Sequence, residues 1–268
     1  MRMGIVLVLV IALSGILLAE TVWLVEPMKK QLGNGDVVDI GPIGPGQTVF
    51  IEIEPIIKEG ENKGLTWDLL NVTKLPSGWK GEKSALYGRP TLQAKITASA
   101  EAKDGSYPVT LEAIGGEKLG GPVSIKANVQ VKKDVVNVDV QPKSRKVGAG
   151  QPAVFYITIQ NTGITSDVFE VTATGKLAWD LNKKALIPAG GIKEVRYEVG
   201  SEEGGNIAVD LNVKSSSSPL ISKTERVNVD VETNLISDYK ATNNGLMIFP
   251  IMEQPVYSLM GLISNLFN

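Results

Sequence analysis

Val136-Asn-Val-Asp-Val140 and Val154-Phe-Tyr-Ile-Thr-Ile159 decide how this chain folds. The apolar residues recur at every second position, the pattern of a strand with one face on a core and the other in water. The pattern continues through Val168-Phe-Glu-Val171, Glu194–Val199, Ile207–Val213 and Thr224–Val231. Turn-forming clusters separate these runs: Gly148-Ala-Gly150, Asn161-Thr-Gly163, Pro188-Ala-Gly-Gly191 and Gly204-Gly205. About seven short strands in a hundred residues, with such turns, predict an antiparallel β-sandwich of immunoglobulin-like type.

The same unit stands once more, earlier in the chain. Trp79, Lys83, Ala85, Leu86, Gly105, Val109 and Leu111 recur as Trp179, Lys183, Ala185, Leu186, Gly205, Val209 and Leu211, all at a spacing of 100 residues. Gly46-Gln47 against Gly150-Gln151 and Val129-x-Val131 against Val227-x-Val229 drift slightly, as loops of unequal length would cause. Two tandem sandwiches are therefore expected, over 26–132 and 133–232. Their junction, Val131-Lys-Lys-Asp-Val135, holds no Gly, Ser or Pro linker, which predicts a stiff, rod-like pair. In the first copy Pro108 interrupts Tyr107–Ala113, so an edge strand or a bulge is expected there.

The 268 residues include 28 Gly and 14 Pro but neither Cys nor His. Thiol chemistry, Ser-His and Cys-His pairs and ordinary zinc sites are thereby removed. A net charge of −2 gives no electrostatic footprint for nucleic acid.

Both ends of the chain depart from the strand pattern. Residues 1–19 hold one charge, Arg2, then the apolar run Gly4–Ala19. This is the form of a secretory signal peptide. Leu17 stands where a second small residue is preferred for cleavage after Ala19. A retained signal anchor is the alternative, although a helix over 4–19 spans about 24 Å against a hydrocarbon core of about 30 Å. Either way the remainder lies outside the cytoplasm, secreted or tethered to the membrane. Residues 233–268 form an apolar interaction segment. Leu246, Ile248 and Phe249 lie in one apolar run. After Pro255, Val256, Leu259, Met260, Ile263, Leu266 and Phe267 form one stripe of a short helix. That helix folds back on the second module, docks to a partner or another copy, or lands on a membrane surface. The apolar strand Leu246–Met252 offers a further route, addition to a neighbour's sheet edge.

The second unit resembles the CARDB-like and NPCBM-associated Ig-like modules of prokaryotic, especially archaeal, cell-surface proteins. The residues that carry the likeness are Gly148-Ala-Gly150-Gln151, Phe155–Gly163, Trp179, Leu186-Ile-Pro-Ala-Gly190 and the strand from Gly205. The first unit is similar at Leu75-Pro-Ser-Gly-Trp79 and Asp104-Gly-Ser-Tyr107, but has Glu54-Pro55 where the Asn-x-Gly turn would stand. The resemblance implies a spacer, adhesion unit or companion of carbohydrate-active domains. It implies no catalytic set and no cofactor.

Candidate sites are few. Trp67 has no repeat mate and is the candidate glycan contact, whereas Trp79 and Trp179 are expected in the cores; Tyr87 would complete an aromatic platform. Asn71-Val-Thr73 is a glycosylation sequon. Asp36 and Asp39 beside Gly33-Asn-Gly35 lack the oxygen-ligand spacing of a calcium loop, and the turn reads as a hairpin. Glu52, Glu54, Asp180 and Glu194 fall at alternating strand positions, where solvated charges are expected rather than an acid–base pair. The expected function is that of a non-catalytic structural or interaction protein of the cell envelope, assembling with a protein partner or with itself. The alternative is a pair of glycan-binding modules.

Overall fold

The computed structural model describes residues 20–84, 90–119, 121–148, 151–201 and 204–232. The expected signal segment over 1–19, Tyr87 and the expected interaction segment 233–268, with Leu246, Ile248, Phe249, Val256, Leu259, Met260, Ile263, Leu266 and Phe267, lie outside the described residues. Seventeen strands and one short 3-10 turn make up the described elements, so the described residues are nearly all β. Among the described residues no helix is long and apolar enough to cross a membrane.

Contacts divide the chain into two compact units. Of the described residues, unit 1 comprises those up to Gly41, within Thr48–Thr97 and within Ser106–Gln130; unit 2 comprises Pro42–Gln47, Ala98–Gly105 and those from Val131 to Glu232. Unit 2 thus takes in two short segments from within the first sequence repeat.

Unit 1 draws on nine strands: β1 (Thr21–Glu26), β2 (Lys30–Gly33), β3 (Val37–Ile43), β4 (Thr48–Ile53), β5 (Trp67–Lys74), β6 (Lys80–Glu82), β7 (Leu92–Thr97), β8 (Gly105–Gly115) and β9 (Val123–Val131). They form a five-stranded sheet, β2-β1-β4-β7-β6, and a four-stranded sheet, β3-β9-β8-β5. Val22, Leu24, Ile51, Ile53, Ala94 and Ile96 point inward from the first sheet, and Ile40, Leu70, Leu111, Ile125 and Ala127 are buried in the second. β5 packs against β7 across the two layers. Pro108 lies where β8 has run past its last partner on β5, at the Lys74–Thr110 pair. A residue without an N–H is tolerated there because that side of the ladder has ended.

Unit 2 has β10 (Val136–Gln141), β11 (Ser144–Gly148), β12 (Ala153–Asn161), β13 (Asp167–Thr174), β14 (Lys183–Ile187), β15 (Ile192–Val199), β16 (Gly205–Ser215) and β17 (Ser222–Glu232). One sheet is β10-β12-β15, the other β11-β17-β16-β13-β14. Phe155, Ile157, Tyr197 and Val199 from the first sheet share one core cluster with Phe169, Val171, Val209, Leu211 and Val229 from the second. Alternate residues of β12 are buried along its whole length, as its period predicts. The pairing departs from an all-antiparallel expectation at two places. β3 runs parallel to β9, with the Lys126 N–H donating to Asp36 O and the Lys132 N–H to Ile43 O. β11 runs parallel to β17, with Ser144 opposite Asn228 and Gly148 opposite Glu232. The first strand of each unit closes on a cis X–Pro bond, Glu26–Pro27 and Gln141–Pro142.

Candidate functional site

The tryptophans fall differently from the sequence expectation. Trp67 opens β5 and is only 2% exposed, so it is a core side chain and not a glycan platform. Its backbone N–H donates to Pro55 O, which fixes the strand's first residue with the ring facing inward. Trp79 is buried as expected and meets Tyr107 with ring centroids 5.3 Å apart. Trp179, expected in the core of unit 2, is 40% exposed. Its six-membered ring lies flat enough on Gly200 that a Cβ there would come within 2.0 Å of it. The Trp179 ring therefore rests against backbone, and a Cβ at residue 200 would displace it.

Other sequence candidates are tied into turns and strands. Asp36 Oδ2 accepts the Gly33 N–H at 2.7 Å, and Asp39 Oδ1 accepts from Asn128 Nδ2 at 3.1 Å. Among the described residues no three acidic side chains gather as a cation site. Asn71 sits half-buried on β5 opposite Glu112, and the sequon hydroxyl, Thr73 Oγ1, donates to Thr110 O at 3.4 Å. Glu52 accepts from Thr91 and from Gln93, and Glu54 pairs with Lys58. Asp180 and Glu194 are exposed members of unit 2, whereas Glu52 and Glu54 belong to unit 1.

Two buried polar clusters in unit 2 were not legible as sites. Asn161 is fully buried at the end of β12. Its Nδ2 donates to Thr165 O (2.8 Å), Pro188 O (3.2 Å) and Ile187 O (3.3 Å), and its Oδ1 accepts from Gly163 N (3.0 Å). One side chain thereby fastens the Asn-x-Gly turn to the Pro-x-Gly turn. Asp167, the first residue of β13, is buried without a cation among the described groups. Ser215 Oγ and Gln47 Nε2 donate to its Oδ2 at 2.6 Å each; Ser217 Oγ (2.6 Å) and the Val168 N–H (2.7 Å) donate to its Oδ1. Four donors satisfy a carboxylate's four acceptor positions. All four donors come from the protein itself, so the cluster ties the start of β13 to the end of β16, the serine run and Gln47. The run Ser215-Ser-Ser-Ser218 was the available signal, but it does not say which carboxylate it faces.

The apolar surface of unit 2 is more distinctive. Leu186 on β14 is 60% exposed and Ile192 at the start of β15 is 64% exposed. β14 and β15 are each the outermost strand of their sheet, and they contact each other. Lys183, Lys184 and Lys193 lie on the same two strands. Nearby in the core, Tyr197 donates its hydroxyl to Leu181 O, and burial pushes that hydroxyl's pKa up.

No protein-family model and no curated protein matches the sequence. Among solved structures the chain is similar to a chimeric titin Z1Z2 carrying a peptide from decorin, at 16% identity over 81% of this chain and 99% of that one, with a TM-score of 0.34. It is similar to a β-glucosidase from Listeria innocua in complex with glucose at 18% identity, over 37% of this chain and 16% of that chain, with a TM-score of 0.27. A DNA glycosylase from Pseudomonas fluorescens aligns at 14% identity over 36% of this chain and 30% of that chain, with a TM-score of 0.25.

Proposed function

We propose that this is a non-catalytic structural or interaction protein of the cell envelope, built of two Ig-like modules of the CARDB-like kind. It is exported by residues 1–19, which are either removed or kept as a tether. It assembles with a protein partner or with itself through the segment 233–268 or through sheet edges. The observation that carries the reading is the pair Leu186 and Ile192. Two large apolar side chains stand in water on two adjoining edge strands, where an incoming strand finds both unpaired backbone and an apolar contact. The lysines around them disfavour edge-to-edge aggregation of like surfaces and suit a partner with an acidic rim.

Deleting residues 245–268 is expected to abolish assembly while both modules stay folded. Leu186→Lys with Ile192→Lys tests the edge route in the same way. If neither change alters the size of the native assembly in size-exclusion chromatography, the reading fails.

The glycan-binding alternative loses Trp67 and passes to Trp179, an exposed tryptophan ring among the described residues. Polysaccharide binding that disappears with Trp179→Ala would support it, and no binding to any polysaccharide would remove it.

A further inference from the structure

The buried cluster around Asp167 brings a hydroxyl and a carboxamide together over one carboxylate oxygen. Ser215 closes β16, and Gln47 closes the turn Gly44–Gln47, which belongs to unit 2 by its contacts. Ser215 Oγ and Gln47 Nε2 donate to the same atom, Asp167 Oδ2, at 2.6 Å each. Gln47 is 1% exposed, Asp167 3% and Ser215 4%, so all three are shielded from bulk water. The turn is seated closely. A Cβ on Gly44 would stand 2.1 Å from Ile221 Cδ1, and one on Gly46 would stand 3.2 Å from Ser217 O.

Each atom needed for acyl transfer from an amide to a hydroxyl has a partner here. Asp167 Oδ2 lies at general-base distance from the Ser215 hydroxyl. The Ser217 and Ser218 N–H groups donate to Ser215 Oγ at 3.0 and 3.1 Å, where they stabilise negative charge as the proton leaves. The lone pair freed by that proton faces the side of Asp167, where the Gln47 amide also lies. The Gly44 N–H donates to Gln47 Oε1 at 2.7 Å, the place of an oxyanion donor on the carbonyl under attack. The leaving nitrogen, Gln47 Nε2, already touches the group that has to hand it a proton. Ser217 Oγ and the Val168 N–H hold the other oxygen of Asp167, so the carboxylate stays aimed.

We propose that Ser215 and Gln47 join in an intramolecular ester, formed by the fold itself. Ser215 Oγ attacks Gln47 Cδ as its proton passes to Asp167 Oδ2. The Oγ–Cδ bond forms, the Cδ–Nε2 bond breaks, and Nε2 takes that proton and leaves as ammonia. Asp167 ends as the carboxylate it began as. The step runs once and turns over no external substrate. Water is the competing nucleophile, and burial keeps it from the acyl carbon. The ester bolts the turn to the end of β16. A chain pulled from its two ends then bears no load over 48–214, because the cross-link carries it. That suits a protein under tension at a cell surface, although the bond does not depend on that reading.

Mass spectrometry of the full chain tests it. The wild type is expected to be lighter than its sequence by one ammonia. A succinimide at Asn34-Gly35 costs an ammonia too, so peptides decide. Cleavage at glutamate keeps Ser215 inside the peptide 204–225, where no free α-amine can take the acyl group from its Oγ. That peptide is expected joined to the one that holds Gln47. Neutral hydroxylamine should part them, leaving a hydroxamate on residue 47 and Ser215 unmodified. Ser215→Ala and Asp167→Asn should each give the two peptides unjoined and at full mass, with circular dichroism to check that the variants fold. Unjoined peptides from the folded wild type overturn the proposal, whatever the variants do. So does a joined pair that resists hydroxylamine, which is not an ester, and so does one that persists in Ser215→Ala. A bond that forms as fully in Asp167→Asn as in the wild type overturns the part assigned to the carboxylate.

Discussion

Trp79 and Trp179 stand one repeat apart in sequence, yet one is buried against Tyr107 and the other is partly exposed, its ring laid over Gly200. Trp67 and Phe169 have no such spacing, yet they fill matching places, each opposite the end of the strand that pairs with its own. Register, not count along the chain, decides which side chain enters a sandwich core. Strand positions are fixed by ladder hydrogen bonds and by the two-residue alternation. Trp79 and Trp179 sit outside the ladders, in connections where the backbone path is set locally.

The largest expected effect breaks this comparison open. Trp67→Ala should cost about 3–5 kcal/mol of unfolding free energy, the usual loss for a large aromatic removed from a core. Trp179→Ala should cost about 0.5 kcal/mol or less, as for a surface side chain. Urea unfolding of the two variants measures both. Equal losses would mean that the exposed indole is as much a part of its core as Trp67 is.

Asn161 sharpens the contrast between units. Asn161→Ala leaves three carbonyls and one N–H without their buried partner and should cost about 2–3 kcal/mol. Unit 1 has Glu54-Pro55 near the matching place and holds it with backbone bonds instead: Glu54 N–H to Trp23 O and Trp67 N–H to Pro55 O. No side chain there has an equivalent load. Asp167→Asn comes next, at about 1–2 kcal/mol, since one of its oxygens becomes an NH2 facing donors. A thermal melt unchanged by Asp167→Asn would show that the four bonds to this carboxylate are replaced by water at no loss.

These cases also mark how much the sequence revealed. Strands such as β12 and β16 were legible because alternation is a local signal and a core needs it. The two contact units do not follow the repeat bounds, since unit 2 takes in Pro42–Gln47 and Ala98–Gly105, and the 100-residue spacing carries no trace of that exchange. The parallel β11–β17 pair was not legible, because pairing between residues so far apart leaves no local trace. The place of Trp67 is hidden from the sequence for a related reason. Its lack of a repeat mate says nothing about the bulge that moves it into the place held by Phe169. Asp167 gives no signal in the sequence because its partners are Gln47, Val168, Ser215 and Ser217, which only the fold brings together.

The smallest effect belongs to the β16–β17 hairpin. Asp210 faces Arg226 across it, with bonds of 2.7 and 2.9 Å from the guanidinium. The positions one repeat earlier hold Thr110 and Asn128, so unit 1 lacks the pair. The Arg226 hydrogen bonds hold the Asp210 carboxyl below the ordinary carboxylate range, against a smaller opposing effect of burial. A folded-state pKa that lies below the unfolded value gives stability that is present above the unfolded value, near pH 4, and is lost as pH falls through the folded one. Both groups are solvent-exposed, so screening keeps the contribution small. Arg226→Gln should therefore lower the melting temperature slightly at neutral pH and in low salt. The difference from wild type should narrow as the solution is acidified through the carboxylate range. A gap that stays constant down to full protonation of Asp210 would assign the effect to packing of the Arg226 stem along the sheet and not to its charge.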